Sequence, residues 1–471
     1  MSGAISMSQQ EFDYDVVVIG SGPAGQKAAV QAAKAGQRAA IIERDSLFGG
    51  ACVHRGTIPS KTLRENALRV KNMRQNVALV DFELGEDTEM ATLVDRLDDV
   101  LKAHDGFMRE QIDRNQVERI HGRASFVDNH TLDINYVGGE TKQISSHKMI
   151  IATGSYPRDP DNIPIDHEHI LDSDSILSML YLPSSLTVLG GGVIASEYAS
   201  IFQALGVKVT MIDRYPTPLG FLDSDMTDRF VREFEAMGGT WLGSQKVQKV
   251  YWDGVSEVIT ECEDGTVVRS QKLLCAAGRL ANVKELQLQN AGLMLNERGL
   301  ISVDEQLCTV VGNIYAAGDV IGPPSLASAS MEQGRRASCN ALGVNIGDSS
   351  QLIPAGIYGV PELSSVGLTE QQAREQYGDV IVGKADFSEV ARGQISGNTG
   401  GMLKIVSDPK GDAILGVMIV GEASTEVVHI GHMAMLCHAK VDIFIESTFN
   451  FPTLAEAYRI AALEIIAKRP N

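Results

Sequence analysis

Two glycine-rich stretches carry the chemistry most readily placed from residue type and spacing. Gly20-Ser21-Gly22-Pro23-Ala24-Gly25 follows a β-branched run at 14–19 and precedes a helical stretch at 26–35, which Gly36 ends. A strand at 38–42 then closes on Glu43. Strand, glycines, helix, strand and acid at that offset make a dinucleotide-binding pattern. The glycines let a pyrophosphate approach the backbone at a helix N-terminus, and the acid accepts from a ribose hydroxyl. The order recurs further on. A strand at 186–189 meets Gly190-Gly191-Gly192-Val193-Ile194-Ala195, a helix runs to Leu205 where Gly206 stops it, and a strand at 207–212 closes on Asp213. Asp213 suits the 2′-hydroxyl of NAD, while the adjacent Arg214 offers a guanidinium to the 2′-phosphate of NADP. That pair points to a site tolerating both nucleotides. Two copies of the pattern imply an internal duplication with two dinucleotide sites. A single-cofactor Rossmann enzyme accounts poorly for the second copy.

Other elements must position these loops. Residues 60 to about 122 read as helical, with charged faces between apolar positions. Residues 126–151 alternate like a β-meander with a turn at Gly138-Gly139, and they run into Ile150-Ile151-Ala152-Thr153-Gly154, a buried strand ending in a tight turn. A second meander, about 246–274, ends in Cys275-Ala276-Ala277-Gly278-Arg279. Asn313-Ile314-Tyr315-Ala316-Ala317-Gly318-Asp319 follows, then a small-residue helix at 325–337. From about 351 onward, strand-like runs at 403–406 and 414–420 alternate with helices. The expected fold class is α/β, with two Rossmann-like dinucleotide-binding domains and a C-terminal α+β domain.

The 471 residues suggest about three domains at ~150 residues each. A net charge of −19 argues against a nucleic-acid partner, whose phosphates demand Lys/Arg stripes, and favours cytosolic solubility. The first ten residues carry no basic residue or apolar core, so a signal peptide is not expected. No apolar run reaches the ~20 residues of a membrane span. Six cysteines, Cys52, Cys262, Cys275, Cys308, Cys339 and Cys437, form no Cys-x-x-Cys pair and read as reduced thiols, mostly small core residues. His429 and His432 have a chelating spacing on an expected helix, but no third ligand is placed with them, so no metal site is expected.

Gly49-Gly50-Ala51-Cys52-Val53-His54-Arg55-Gly56-Thr57-Ile58-Pro59-Ser60-Lys61 resembles the active-site segment of the flavoprotein disulfide reductases, the family of dihydrolipoyl dehydrogenase and glutathione reductase. The resemblance extends over most of the chain, from about residue 14 to 468. In that family two cysteines five positions apart form a redox disulfide over a flavin. Here Cys52 stands at the first position and Thr57 at the second, and a hydroxyl forms neither disulfide nor thiolate. Near the C-terminus the family carries His-Pro-Thr with a following glutamate. This chain reads Asn450-Phe451-Pro452-Thr453-Leu454-Ala455-Glu456, and phenylalanine cannot act as a general acid or base. Thr453 and Glu456 fit a capping box for the next helix. Cys52 with Thr57, together with the Phe-Pro-Thr stretch, looks like the soluble pyridine nucleotide transhydrogenases within the family. Their pattern has tyrosine before Pro-Thr, so Phe451 removes only a hydroxyl.

The resemblance implies a division into an FAD domain (1–158 and 286–350), an NAD(P) domain (159–285) and an interface domain (351–471) through which subunits pair as a homodimer or larger homo-oligomer. It implies FAD held by Gly20, Gly22, Gly25, Glu43, Arg44, Cys52, Lys61, Thr153, Gly154 and Asp319. NAD(P) falls to Gly190, Gly192, Glu197, Asp213, Arg214 and Gly278. Lys61 is the family lysine beside flavin N5 and Glu197 its partner, Thr57 lies against the flavin, and Cys52 is left unpaired. The 325–337 helix is implied to point its N-terminus at the flavin pyrimidine, where its dipole favours the anionic reduced ring. The implied reaction is cytoplasmic, FAD-dependent ping-pong hydride transfer between NADPH and NAD. Two rivals carry over: a diaphorase-like reductase of another acceptor such as a quinone, and a low-turnover flavin-bearing NADH sensor or assembly protein.

Overall fold

A computed structural model describes residues 12–75, 88–347 and 352–470. The chain divides into two compact units. One comprises Met1–Pro59, Arg96–Arg158 and Arg279–Asp348; the other comprises Ser60–Asp95, Asp159–Gly278 and Ser349–Asn471.

In the first unit seven strands share a sheet, in the order Glu118–His121, Ala39–Glu43, Tyr14–Ile19, Thr141–Ile151, Thr131–Asn135 and Arg123–Phe126, with Ile314–Ala316 also paired to Thr141–Ile151. Along Tyr14–Ile19, Val17 and Ile19 enter one core while Val16 and Val18 enter another. Burial on both faces explains why this parallel central strand reads as an unbroken apolar run from Val16 to Ile19. The long Thr141–Ile151 strand serves two sheets. Its end runs parallel to Tyr14–Ile19 and Ile314–Ala316, and its start is antiparallel to Thr131–Asn135 in the meander. Tyr136, Gly139 and Glu140 make the expected turn, with Gly139 at φ +84°. The Pro23–Lys34 and Ala327–Ala341 helices cross closely, because a Cβ at Gly334 would lie 1.9 Å from the Ala24 carbonyl oxygen.

In the second unit a five-stranded parallel sheet runs Thr240–Leu242, Lys208–Ile212, Ser185–Leu189, Lys272–Cys275, Ile170–Asp172. The meander Val247–Trp252, Val258–Cys262, Val267–Ser270 leads into it. The C-terminal region is a five-stranded antiparallel sheet in the order Ala355–Ile357, Leu363–Gly367, Ile414–Val420, Met402–Ser407, Ile381–Asp386, packed by the Ser424–Leu436 and Glu456–Ala467 helices. The α/β class and the doubled Rossmann pattern are therefore present. No helix among the described residues is long and apolar enough to cross a membrane.

Three expectations need correction. The stretch read as helical from 60 to about 122 holds the helices Thr57–Gln75, Met90–Leu93 and Leu97–Arg114, but it ends in a strand, Glu118–His121. Gln116 at φ +58° breaks the helix, and the strand is set by parallel pairing with Ala39–Glu43 rather than by its own pattern, which has one buried residue, Ile120. Residues 76–87 of the same stretch lie outside the described residues. The 26–35 helix begins earlier, at Pro23, where proline's fixed φ suits the first helical position. The helix expected at 325–337 spans Ala327–Ala341.

Candidate functional site

The two glycine loops are built alike. Gly20 N–H donates to the Ile42 carbonyl at 2.8 Å, and Gly190 N–H to the Ile212 carbonyl at 2.8 Å. Ala152 N–H donates to Ile19, and Ala276 N–H to Leu189. Gly20 and Gly190 take φ +102° and +118°, and a Cβ on either would lie 2.4 Å or 2.7 Å from the Ala152 or Ala276 carbonyl oxygen. Only glycine meets both demands. The loops differ at their last small residue. A Cβ at Gly25 would stand 1.8 Å from Gly20 O, whereas Ala195 occupies the matching place in the wider second loop.

Both loops feed helices whose N-caps, Gly22 and Gly192, supply no side-chain cap. A Cβ at Gly22 or Gly192 would meet nothing within 4 Å. Free N–H groups and the positive end of the helix dipole thus face open space, the arrangement that binds a pyrophosphate.

In the first unit the loop is tied to its neighbours by a buried network. Glu43 Oε2 accepts from Ser21 N–H at 3.0 Å and from the Ser21 hydroxyl at 2.5 Å, and Glu43 Oε1 accepts from Asp45 N–H. The Ser21 hydroxyl also accepts from Gly49 N–H at 3.0 Å. A Cβ at Gly50 would come 2.9 Å from Gly22 Cα, so the start of the Gly50–His54 helix rests on the loop and Cys52 is carried beside it. Cys52 is half-buried and forms no disulfide. Thr57 is the first residue of the Thr57–Gln75 helix, with Lys61 one turn on.

Arg44 donates to Asn282 Oδ1, Asn282 Nδ2 donates to the Thr153 carbonyl, and Asn282 N–H to the Gly154 carbonyl. The first unit thereby gathers Arg44, Thr153 and Gly154. Asp319 Oδ2 accepts from the Ser155 hydroxyl at 2.7 Å, and Arg279 holds Ser155 twice, at its hydroxyl and its carbonyl, both at 2.8 Å. Among the described residues, the shielded Thr153 hydroxyl has no hydrogen-bond partner. An orphaned buried hydroxyl beside an uncapped helix N-terminus fits a polar, phosphate-bearing cofactor such as FAD.

The second unit holds an ion pair. Glu197, on the Val193–Leu205 helix and only 6% exposed, accepts from Lys61 Nζ at 2.7 Å through Oε2 and from Tyr358 N–H at 2.8 Å through Oε1. The Tyr358 ring lies under the ammonium, 4.9 Å from Nζ to its centroid. Asp213 places Oδ2 against the glycine loop, 2.8 Å from where a Cβ of Gly191 would sit, and Oδ1 accepts from Tyr215 N–H. Arg214 is exposed and lies over the Tyr215 ring. Gly278, at φ +108°, closes the Lys272–Cys275 strand's exit and has open space on its Cβ side.

Sequence reasoning missed Tyr358, Ser155 and Asn282, and quoted Arg279 without a role. Arg279 had a signal in its place at the end of the second meander, but Tyr358 had none, being 161 positions from the carboxylate it binds. The capping box is corrected: the N-cap of Glu456–Ala467 is Ala455, with Glu456 the first helical residue. Glu456 does accept from Thr453 N–H, but the Thr453 hydroxyl donates to the Asn450 carbonyl instead. Phe451 is 75% exposed. His432, on the Ser424–Leu436 helix, bonds the Leu352 carbonyl.

Residues 14–334 match the pyridine nucleotide-disulphide oxidoreductase family, and residues 353–462 match its dimerisation domain. The chain is 40% identical over 458 residues to a soluble pyridine nucleotide transhydrogenase of Mycobacterium bovis, covering 97% of this chain and 98% of the relative. It is 41% identical to the transhydrogenase of that name from Colwellia psychrerythraea, with 97% and 98% covered. Among solved structures it is similar to LpdA from Mycobacterium tuberculosis, with a TM-score of 0.88, 25% identity, and 96% and 99% of the two chains covered.

Proposed function

The chain belongs to the pyridine nucleotide-disulphide oxidoreductase family, and from that membership we infer a transhydrogenase that moves hydride between NADPH and NAD by a ping-pong route. The relatives named soluble pyridine nucleotide transhydrogenase, matched along nearly the whole chain, support the reading. The single observation that carries it is the redox segment itself: Thr57 replaces the second cysteine while the Lys61–Glu197 pair is intact. Bound FAD supplies the one store for a hydride, so a single nicotinamide site can serve the two nucleotides in turn.

The residues then divide the work as follows. Gly20, Gly22, Gly25 and Glu43 hold the pyrophosphate and ribose of FAD, Arg44, Thr153 and Gly154 flank them, and Asp319 binds the ribityl chain. Gly190, Gly192, Asp213, Arg214 and Gly278 bind the nicotinamide nucleotide. Lys61 places a positive charge where negative charge develops on the flavin, and Glu197 fixes the ammonium in position. Thr57 fills the place of a thiol without storing electrons, so no second cysteine stands five positions after Cys52. The FAD domain is assigned to 1–158 and 286–350, the NAD(P) domain to 159–285 and the interface domain to 351–471. The dimerisation domain makes the protein a homo-oligomer. A cytoplasmic location is part of the proposal, resting on the acidic composition and the relatives' description as soluble.

The test is an anaerobic titration of the purified holoenzyme with dithionite or NADPH, followed by steady-state transfer to an NAD analogue. Uptake of one electron pair per flavin, no long-wavelength thiolate band and parallel double-reciprocal lines are expected. Uptake of two pairs, or turnover of lipoamide or glutathione disulfide, would refute it. Turnover of a quinone without turnover of a second nucleotide would move the assignment to a diaphorase.

A further inference from the structure

Asp213, Arg214 and Tyr215 form a rigid corner of the second unit. Asp213 N–H donates to the Leu242 carbonyl, Gln245 N–H to the Asp213 carbonyl, and Ser244 N–H to the Tyr215 carbonyl. Trp241 Nε1 donates to the Pro216 carbonyl at 3.0 Å. The backbone is therefore pinned on both sides, and only the side chains are left to respond to a ligand. Tyr215 is an exposed large side chain, so core packing does not explain its placement. Its ring lies under the Arg214 guanidinium, 4.8 Å from Cζ to centroid, and its hydroxyl accepts from Arg214 Nη2 at 3.0 Å. Its backbone N–H meanwhile occupies Asp213 Oδ1 at 3.1 Å, leaving Oδ2 turned to the glycine loop.

We propose that Tyr215 is a specificity-positioning residue, which holds Arg214 ready for the 2′-phosphate of NADP(H) while its N–H ties back the carboxylate that would repel that phosphate. The inference rests on the reading of this loop as the nicotinamide nucleotide site. An exposed arginine otherwise spreads over many rotamers, and gripping a phosphate costs that freedom. A ring beneath it and a hydroxyl at its edge restrict the guanidinium in advance. The free Asp213 oxygen still accepts a ribose 2′-hydroxyl, so both nucleotides fit without rearranging the backbone.

The experiment is calorimetric binding of 2′,5′-ADP and 5′-ADP to the holoenzyme, for wild type, Arg214→Ala, Tyr215→Ala and Tyr215→Phe. Tyr215→Ala is expected to weaken 2′,5′-ADP about fivefold, the scale of an exposed cation–π contact, and to leave 5′-ADP within about twofold of wild type. Tyr215→Phe, which keeps the ring, should recover most of the loss. Arg214→Ala should weaken 2′,5′-ADP at least as much as Tyr215→Ala. In turnover, Tyr215→Ala should raise KM for NADPH and leave kcat and the NADH KM unchanged. Equal weakening of both ligands in Tyr215→Ala would make the residue a structural part of the loop and overturn the proposal. An unchanged 2′,5′-ADP affinity in Tyr215→Ala or in Arg214→Ala would overturn it too. Wild-type protein that binds neither ligand would instead overturn the underlying nucleotide-site reading.

Discussion

Replacing Glu197 with glutamine separates the charge of the Lys61–Glu197 pair from its shape. The carboxylate now serves two donors at once, Lys61 Nζ at 2.7 Å and Tyr358 N–H at 2.8 Å. An amide has one acceptor oxygen. If it faces Lys61, its NH2 confronts the Tyr358 N–H; if it faces Tyr358, its NH2 confronts an ammonium. Unit charges 2.7 Å apart attract by roughly 6 kcal/mol at an effective dielectric near 20. The Lys61 side chain is 25% exposed, so water returns much of this on breaking the pair. The net loss belongs with charge-assisted hydrogen bonds, about 2 kcal/mol. If that energy holds Lys61 in its working position, hydride transfer slows by about 30-fold, at ~1.4 kcal/mol per decade. The assay is anaerobic stopped-flow bleaching of the flavin by NADPH, in a double-mutant cycle with Lys61→Met. The two substitutions should be strongly non-additive, with coupling of about 1.5 kcal/mol or more. Bleaching within about twofold of wild type for Glu197→Gln, with a lowered unfolding midpoint, would show that the pair braces the fold and does not assist transfer.

Three further outcomes follow from the same structure. Gly25→Ala puts a methyl 1.8 Å from the Gly20 carbonyl oxygen, so it should cost about 3 kcal/mol and release flavin, read from the 450 nm absorbance retained on gel filtration. Lys404 (side chain 1% exposed) meets Asp223 (2%), Asp225 and Glu370 at 2.8, 2.6 and 2.7 Å. Lys404→Met should lower stability by about 3–5 kcal/mol by stranding buried carboxylate charge, measured by denaturant unfolding. Burial pushes the Asp225 and Glu370 carboxyls up, but Lys384 and Lys404 beside Asp225, and Lys404 and Arg374 beside Glu370, outweigh it and hold both below the usual range; Lys404 is conversely held above its usual value by the three acids despite burial. Depressed carboxylates lose their contribution as pH falls through their folded values, and a raised lysine loses its own as pH rises. The wild-type advantage over Lys404→Met should therefore be full between about pH 5 and pH 10 and shrink on either side. Thr57→Cys should give no turnover of lipoamide or glutathione disulfide, because Phe451 still stands where the family has its histidine; any steady turnover would refute that reason.

The glycine loops were legible because their constraints are local. Positive φ at Gly20 and Gly190 and the uncapped turns after them are properties of a few adjacent residues, and they stand in the structure as the spacing implies. The helix stop at Gly206, with φ +95°, is of the same kind. The strand Glu118–His121 was not legible, since Glu-Arg-Ile-His has no strand pattern of its own and takes its form from the neighbouring strand. Thr453 and Glu456 had the spacing of a capping box, yet the helix starts later and the hydroxyl finds a nearer carbonyl.

By itself the sequence determined the fold class, the duplication and the loss of the second redox cysteine, because residue type and short-range spacing suffice for each. Tertiary structure alone decided what surrounds the charged groups. Tyr358 braces Glu197 from a distant segment, Ser155 holds Asp319 and is itself held by Arg279, and Asn282 joins Arg44 to the 153–154 turn. Those partners lie more than a hundred positions apart along the chain in every case. Their meeting depends on how sheets stack and strands return, and no periodicity or motif in one stretch of chain encodes it.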